Sequence, residues 1–134
     1  MAPTPTAAAP AALAPAKKIT AREWQLIVKD PGSHIGERVI VYGQVIQFDA
    51  ATGTDGFRAN VDGVEHKVKY GYAGYDTNTV LAGDSGLLQD LMNKDLFKAE
   101  TTVVGSYTYQ TTLGGQLTAP KLEVTKIDVI GHVD

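Results

Sequence analysis

The chain contains no cysteine among its 134 residues, so it has no disulfide, no thiol nucleophile and no Cys-ligated zinc or iron–sulfur site. Large rings are scarce too, with one tryptophan, three phenylalanines and six tyrosines. No apolar run approaches the roughly 20 residues that a membrane helix requires. Met1–Lys18 has no basic start ahead of an apolar stretch, so no intact signal peptide is expected. Positive charge is not in excess: the formal net charge is -3 and the pI is near 5.5, so no global basic field exists to hold a polyanion, although a local stripe can still be positive.

Catalytic patterns are missing as well. His34, His66 and His132 are scattered, without a His-x-x-x-His pair, paired acids at helical spacing or a glycine-rich phosphate loop before a helix. Ser33 and Ser85 have no surroundings that would activate a nucleophile. Asp49, Asp55 and Thr52 do not follow calcium-loop spacing. The chain is therefore expected to be no enzyme and to hold no metal or cofactor.

What is present suffices for one globular domain: 43% of residues are hydrophobic and 20% charged. Met1–Ala16 consists of Ala, Pro and Thr around the Met and Leu13, with no charge. Its prolines interrupt any helix and its apolar surface is too small to offset the entropy of ordering, so residues 1–18 are expected to form a disordered tail before a domain over 19–134. Tracts of this kind space secreted or lipid-anchored bacterial domains from their anchors. A frayed tail or an expression remnant fits the same composition.

Thr20-Ala21-Arg22-Glu23 matches a capping box, which predicts a helix over Ala21–Lys29 docked through Trp24, Ile27 and Val28 and ended by Asp30-Pro31-Gly32-Ser33. The run Arg38–Asp49 is apolar on both parities. Val39, Val41 and Val45 lie on one face and Ile40, Tyr42, Ile46 and Phe48 on the other, as in a strand that is covered on both sides or belongs to a closed barrel. Phe57–Val61 and Val64–Tyr70 alternate with period two, and Asp62-Gly63 between them reads as the type I′ turn of a hairpin.

Gly71–Gly86 then reads as a long loop in which Tyr72 and Tyr75 either serve function or pack flat on a barrel edge. Asp84 or Ser85 can cap a short helix over Leu87, Leu88, Leu91 and Met92, with Met92 as core filler. Two further strands are expected over Leu96–Tyr109 and Leu117–Ile130, joined by Thr111–Gly115, with Pro120 at an edge or bulge. Gly43 and Gly105 fall inside strands, where glycine permits the sharp coiling that closes a small barrel.

After a capping helix over Thr20–Val28 the order is strand, strand, strand, helix, strand, strand. It runs through Gly36-Glu37-Arg38-Val39-Ile40-Val41-Tyr42-Gly43-Gln44-Val45, then Leu91–Phe97 feeding Val103-Val104-Gly105-Ser106-Tyr107, and finally Pro120-Lys121-Leu122. This arrangement resembles the OB-fold, and within it the small extracytoplasmic and tRNA-anticodon-binding-like branches. The resemblance covers about Thr20–Ile130 and implies a mainly β protein with short helices, a five-stranded OB-fold-like barrel. It also implies binding of an oligonucleotide, sugar, peptide or protein on the face of the second and third strands.

On that face Arg58, Lys67 and Lys69 can share one surface, with Tyr72 and Tyr75 nearby, while Asp62 and Glu65 dilute the cations. The leading expectation is a non-catalytic protein-binding module outside the cytoplasm, presented on the Ala/Pro tether, with loops Ala50–Gly56, Gly71–Gly86 and Thr111–Gln116 as its adaptable surface. The alternative is a single-stranded oligonucleotide-binding domain. An exposed edge strand could also join two copies into a homo-oligomer.

Overall fold

The computed structural model describes residues 15–47, 56–68, 74–110 and 114–132. Its first helix, α1 (Ala21–Lys29), begins with the capping box: the Glu23 amide donates to Thr20 Oγ1 (3.0 Å) and the Thr20 amide to Glu23 Oε1 (2.8 Å). Two of the helix's first amides are thereby satisfied before any tertiary contact forms. Trp24 and Ile27 are buried, and Trp24 Nε1 donates to the carbonyl of Val61 at 3.1 Å. A short 3₁₀ turn, Pro31–His34, leads into the sheet.

The strands are β1 (Lys17–Lys18), β2 (Arg38–Gln47), β3 (Gly56–Asp62), β4 (Thr77–Ala82), β5 (Asp95–Gln110) and β6 (Gln116–His132), with helix α2 (Ser85–Leu88) between β4 and β5. Their spatial order is β1-β2-β3-β4-β6-β5, and β5 pairs back onto β2 through Arg38↔Thr102 to Gln44↔Leu96. Strands β2 to β6 thus close into a five-stranded barrel. Its pairs are antiparallel except β4 with β6, which run parallel through Val80↔Lys121 and Ala82↔Glu123. This strand order, with a helix between the third and fourth barrel strands, is that of an OB-fold-like barrel. Lys17–Lys18, at the end of the stretch read as tail, pair in parallel with Val39 and Ile40, on the part of β2 that β3 does not reach.

Alternation fills the barrel as the period-two pattern requires. Val39, Val41, Val45, Phe57, Val61, Leu81, Phe97, Val103 and Leu122 are fully buried, and Phe57 meets Phe97 edge to face at 5.7 Å. The buried Thr101 hydroxyl donates to the Val39 carbonyl at 3.0 Å, which satisfies the polar group inside the core. Gly43 is demanded by crowding: an added Cβ would sit 2.4 Å from the Asn60 carbonyl oxygen. Gly105 has φ +129° at a bulge of β5, the left-handed region that favours glycine.

The hairpin expected at Asp62-Gly63 is not formed. A type I′ turn needs positive φ at both central residues, and among the described residues positive φ occurs only at Lys94, Gly36, Gly74, Gly105 and Gly114. Gly63 instead admits the N-terminal segment, since an added Cβ would lie 2.9 Å from Ile19 Cγ1. The described part of the Val64–Tyr70 run forms no strand, and Val64 and Val68 face solvent. The third barrel strand is Thr77–Ala82, inside the stretch read as a long loop, where Thr77, Thr79 and Val80 supply β-branched side chains. Further on, α2 is a single turn without a side-chain cap at Asp84. Met92 is exposed rather than core filler, because its amide is drawn to Asp95 Oδ2 (2.9 Å) at the entry to β5 and its side chain is left outside.

Candidate functional site

Cross-strand register places the side chains of the barrel's outer face in rows. The inward pairs Val45↔Ala59, Ala59↔Thr79 and Phe57↔Leu81 leave Gln44, Asn60 and Asn78 aligned outward across β2, β3 and β4. The next row runs from Arg58 on β3 through Val80 on β4 to Lys121 on β6. Lys121 Nζ lies 5.7 Å from the centroid of the Tyr107 ring on β5, within cation–π range. Val80 is buried between the two cations, while Arg58 and Lys121 are half-buried. A half-buried cation is less screened than a solvated one and attracts an anion more strongly. Asp62 and Glu123 end the face on either side, at Tyr42↔Asp62 and Ala82↔Glu123.

Beside Asp62 the chain builds a second, smaller core on the outside of the barrel. His66 Nε2 bonds Asp62 Oδ2 at 2.7 Å, and Asp62 Oδ1 accepts from the Gly63 amide at 2.6 Å. The His66 ring stacks on Tyr75 at 4.2 Å, and the His66 amide donates to the Tyr75 hydroxyl at 2.8 Å. Tyr75 and Leu96 pack together with Tyr42 against them, which is why β2 is apolar on both parities at this point. Burial pushes the Tyr75 hydroxyl above the ordinary phenol range. The hydrogen bond from the His66 amide acts in the opposite direction, and the charges of Glu65 and Asp62 add to the rise.

Of the residues singled out from the sequence, Arg58 is on the outer face as expected. Lys67 is exposed but lies after β3 in an unpaired segment, so the expected row of cations on a hairpin does not exist. Tyr75 is a correction: it is buried as packing and its ring faces His66, so it is not an open stacking platform. Lys69 and Tyr72 lie outside the described residues. Lys121, Asn60, Asn78 and Tyr107 complete the face and were missed as site residues. The signal that would have found Asn78 is the β-branched run Thr77-Asn78-Thr79-Val80, hidden among glycines and tyrosines.

Two further histidines are hydrogen-bonded to carboxylates. His34 bonds Glu37 and His132 bonds Asp95, each at 2.7 Å. No group of three or more metal-ligating side chains occurs among the described residues. An open cleft of about 390 Å³ between the end of β4, α2 and β6 is lined by Asp84, Glu123 and Leu87.

No family model matches the chain, and no curated protein matches its sequence. Among solved structures, a crystal structure of the mitochondrial single-stranded DNA-binding protein Rim1 from S. cerevisiae covers 74% of this chain and 98% of its own, at 10% identity and a TM-score of 0.41. A selenomethionine-labelled form of that protein covers 72% and 97%, at 13% identity and the same TM-score. With likeness this distant, the assignment of the barrel rests on the strand order and register of this chain itself.

Proposed function

We propose that the protein is a non-catalytic binding barrel that takes a single-stranded oligonucleotide across the outer face of β3, β4 and β6. The observation that carries this reading is the row Arg58–Val80–Lys121, two half-buried cations on either side of an apolar residue, with Tyr107 under one of them. Cations of this kind hold phosphates, and the adjoining half-buried Asn60 carries an amide that can meet a base edge. The net charge of -3 opposes any polyanion, so binding is expected to be modest and steeply weakened by salt.

The test is a titration with fluorescein-labelled single-stranded DNA and RNA at low and moderate salt, following backbone amide shifts. Shifts centred on Arg58, Asn60, Asn78 and Lys121, lost in Lys121→Gln, support the reading. No binding at low salt, where electrostatic attraction is strongest, removes it.

A second reading is favoured by a separate observation. Ile46 near the end of β2, Met92 just before β5, and Val129 and Ile130 near the end of β6 are all exposed at the end of the barrel where Gln44↔Leu96 and Asp95↔His132 pair. Four large apolar side chains at one end suit a protein partner. Together with the Ala/Pro/Thr composition of the first residues, this fits a tethered extracytoplasmic module, as in the small extracytoplasmic branch of the resemblance. Shifts confined to Ile46, Met92, Val129 and Ile130 on adding a candidate envelope protein, with none on adding oligonucleotide, would select it.

A further inference from the structure

The pairing of β5 with β2 ends at Thr102↔Arg38, and backbone bonds to Gly36 and Glu37 occupy the same edge as far as Val103. Beyond the bulge at Gly105, β5 and β6 continue as a two-stranded arm, Ser106↔Pro120 to Gln110↔Gln116. Among the described residues no other strand pairs with this arm. Which of its amides point outward follows from Pro120. Proline has no N–H, so Ser106↔Pro120 is not a hydrogen-bonded pair. Antiparallel pairs alternate, so Ser106, Thr108 and Gln110 turn their N–H and C=O groups away from β6. The side-chain bond between Thr108 and Thr118 at 2.9 Å fits the closer approach of such pairs. All three residues are exposed.

Natural edges are blunted by charge, proline or cover. On the β6 side Pro120 removes a donor. On the β5 side nothing comparable exists among the described residues: residues 105–119 contain no charged side chain, and Ser-Tyr-Thr-Tyr-Gln favours extended structure.

We propose that the β5 edge Ser106–Gln110 pairs antiparallel with the same edge of a second copy of this chain, about a two-fold axis at Thr108. Ser106 of one copy then faces Gln110 of the other, and about six backbone hydrogen bonds form, two for each of the three hydrogen-bonded pairs. A second copy suits this edge for two reasons. The uncharged arm brings no like charges together although each copy is net negative. Antiparallel pairing also sends the two barrels to opposite ends of the four-stranded ribbon.

Sedimentation equilibrium of the full chain between about 10 μM and about 1 mM tests this, the range in which a short strand addition associates. The average mass should rise from 14.2 kDa toward twice that value. Thr108→Lys should hold it at the monomer mass throughout, whereas Thr118→Lys, with the same charge change on the other edge, should leave the rise intact. Amide exchange at Ser106, Thr108 and Gln110 should slow about tenfold or more across the same range in the unmodified chain. A monomer at every concentration, a dimer that survives Thr108→Lys, or exchange that ignores concentration would each overturn the proposal.

Discussion

Replacing Trp24 tests how the N-terminal helix is bound to the barrel. Its side chain is fully buried, its indole N–H is bonded to the Val61 carbonyl, and Val61 sits at the end of β3 where the chain leaves the sheet. Trp24→Ala removes a large apolar side chain and leaves both a cavity and an unpaired acceptor, for a cost of about 3–5 kcal/mol. Trp24→Phe keeps most of the apolar volume but still orphans the carbonyl, for about 1–3 kcal/mol. With about 3–6 °C of melting temperature per kcal/mol in a domain of this size, the alanine variant should melt about 10–30 °C lower. Urea unfolding followed by far-UV circular dichroism gives the free energies, and a thermal scan of the same signal gives the melting temperatures. The natural protein supplies a control, since its single tryptophan should emit as a buried indole and lose that signal together with the circular dichroism. Midpoints of both variants within about 0.5 kcal/mol of the natural chain would refute the docking.

Gly43→Ala should destabilise by about 3 kcal/mol or more, because its Cβ would meet backbone at Asn60 rather than a side chain that can swing aside; a normal urea midpoint would contradict the crowding. For Tyr75, the folded-state pKa is raised, so the neutral phenol's contribution is fully present below about pH 10 and is lost as pH rises through the folded value. Tyr75→Phe should therefore cost about 1 kcal/mol at neutral pH, through the lost acceptor for the His66 amide, and should decline less steeply above pH 10. Parallel stability curves for the two chains in alkali would contradict this.

Much of the barrel was legible because local signals agreed with the final packing. The capping box at Thr20 and Glu23, the double-sided apolar run at Val39–Ile46 and the glycines at 43 and 105 each carry a requirement that few structures satisfy. Asp62-Gly63 misled because the hairpin signal measures only what a turn could do. Here Trp24 and Ile19, more than thirty residues upstream, claim the end of β3, and tertiary contact outweighs turn propensity. That one error moved the third strand, and with it half of the candidate face. Arg58 could be placed from its own parity, but Asn78 and Lys121 depend on which strand lies beside which. Tyr75 was open to either reading from sequence, since a ring among glycines looks alike whether it faces solvent or, as here, a histidine and an outward tyrosine.

The same closure governs the order in which the chain can fold. The β5–β6 ribbon is local and can form within microseconds. The two seams that shut the barrel are not: Arg38–Gln44 must find Leu96–Thr102, and Val80–Ala82 must find Lys121–Glu123. Each seam pays a long loop-closure entropy before its contacts return anything, which places closure on the millisecond-to-second scale of non-local β topologies. Since β6 seals both β4 and β5, α1 and β2 leave the ribosome long before they have a finished barrel to sit in. Until β6 follows, the apolar faces of β2 and β3 stay open to water and to chaperones.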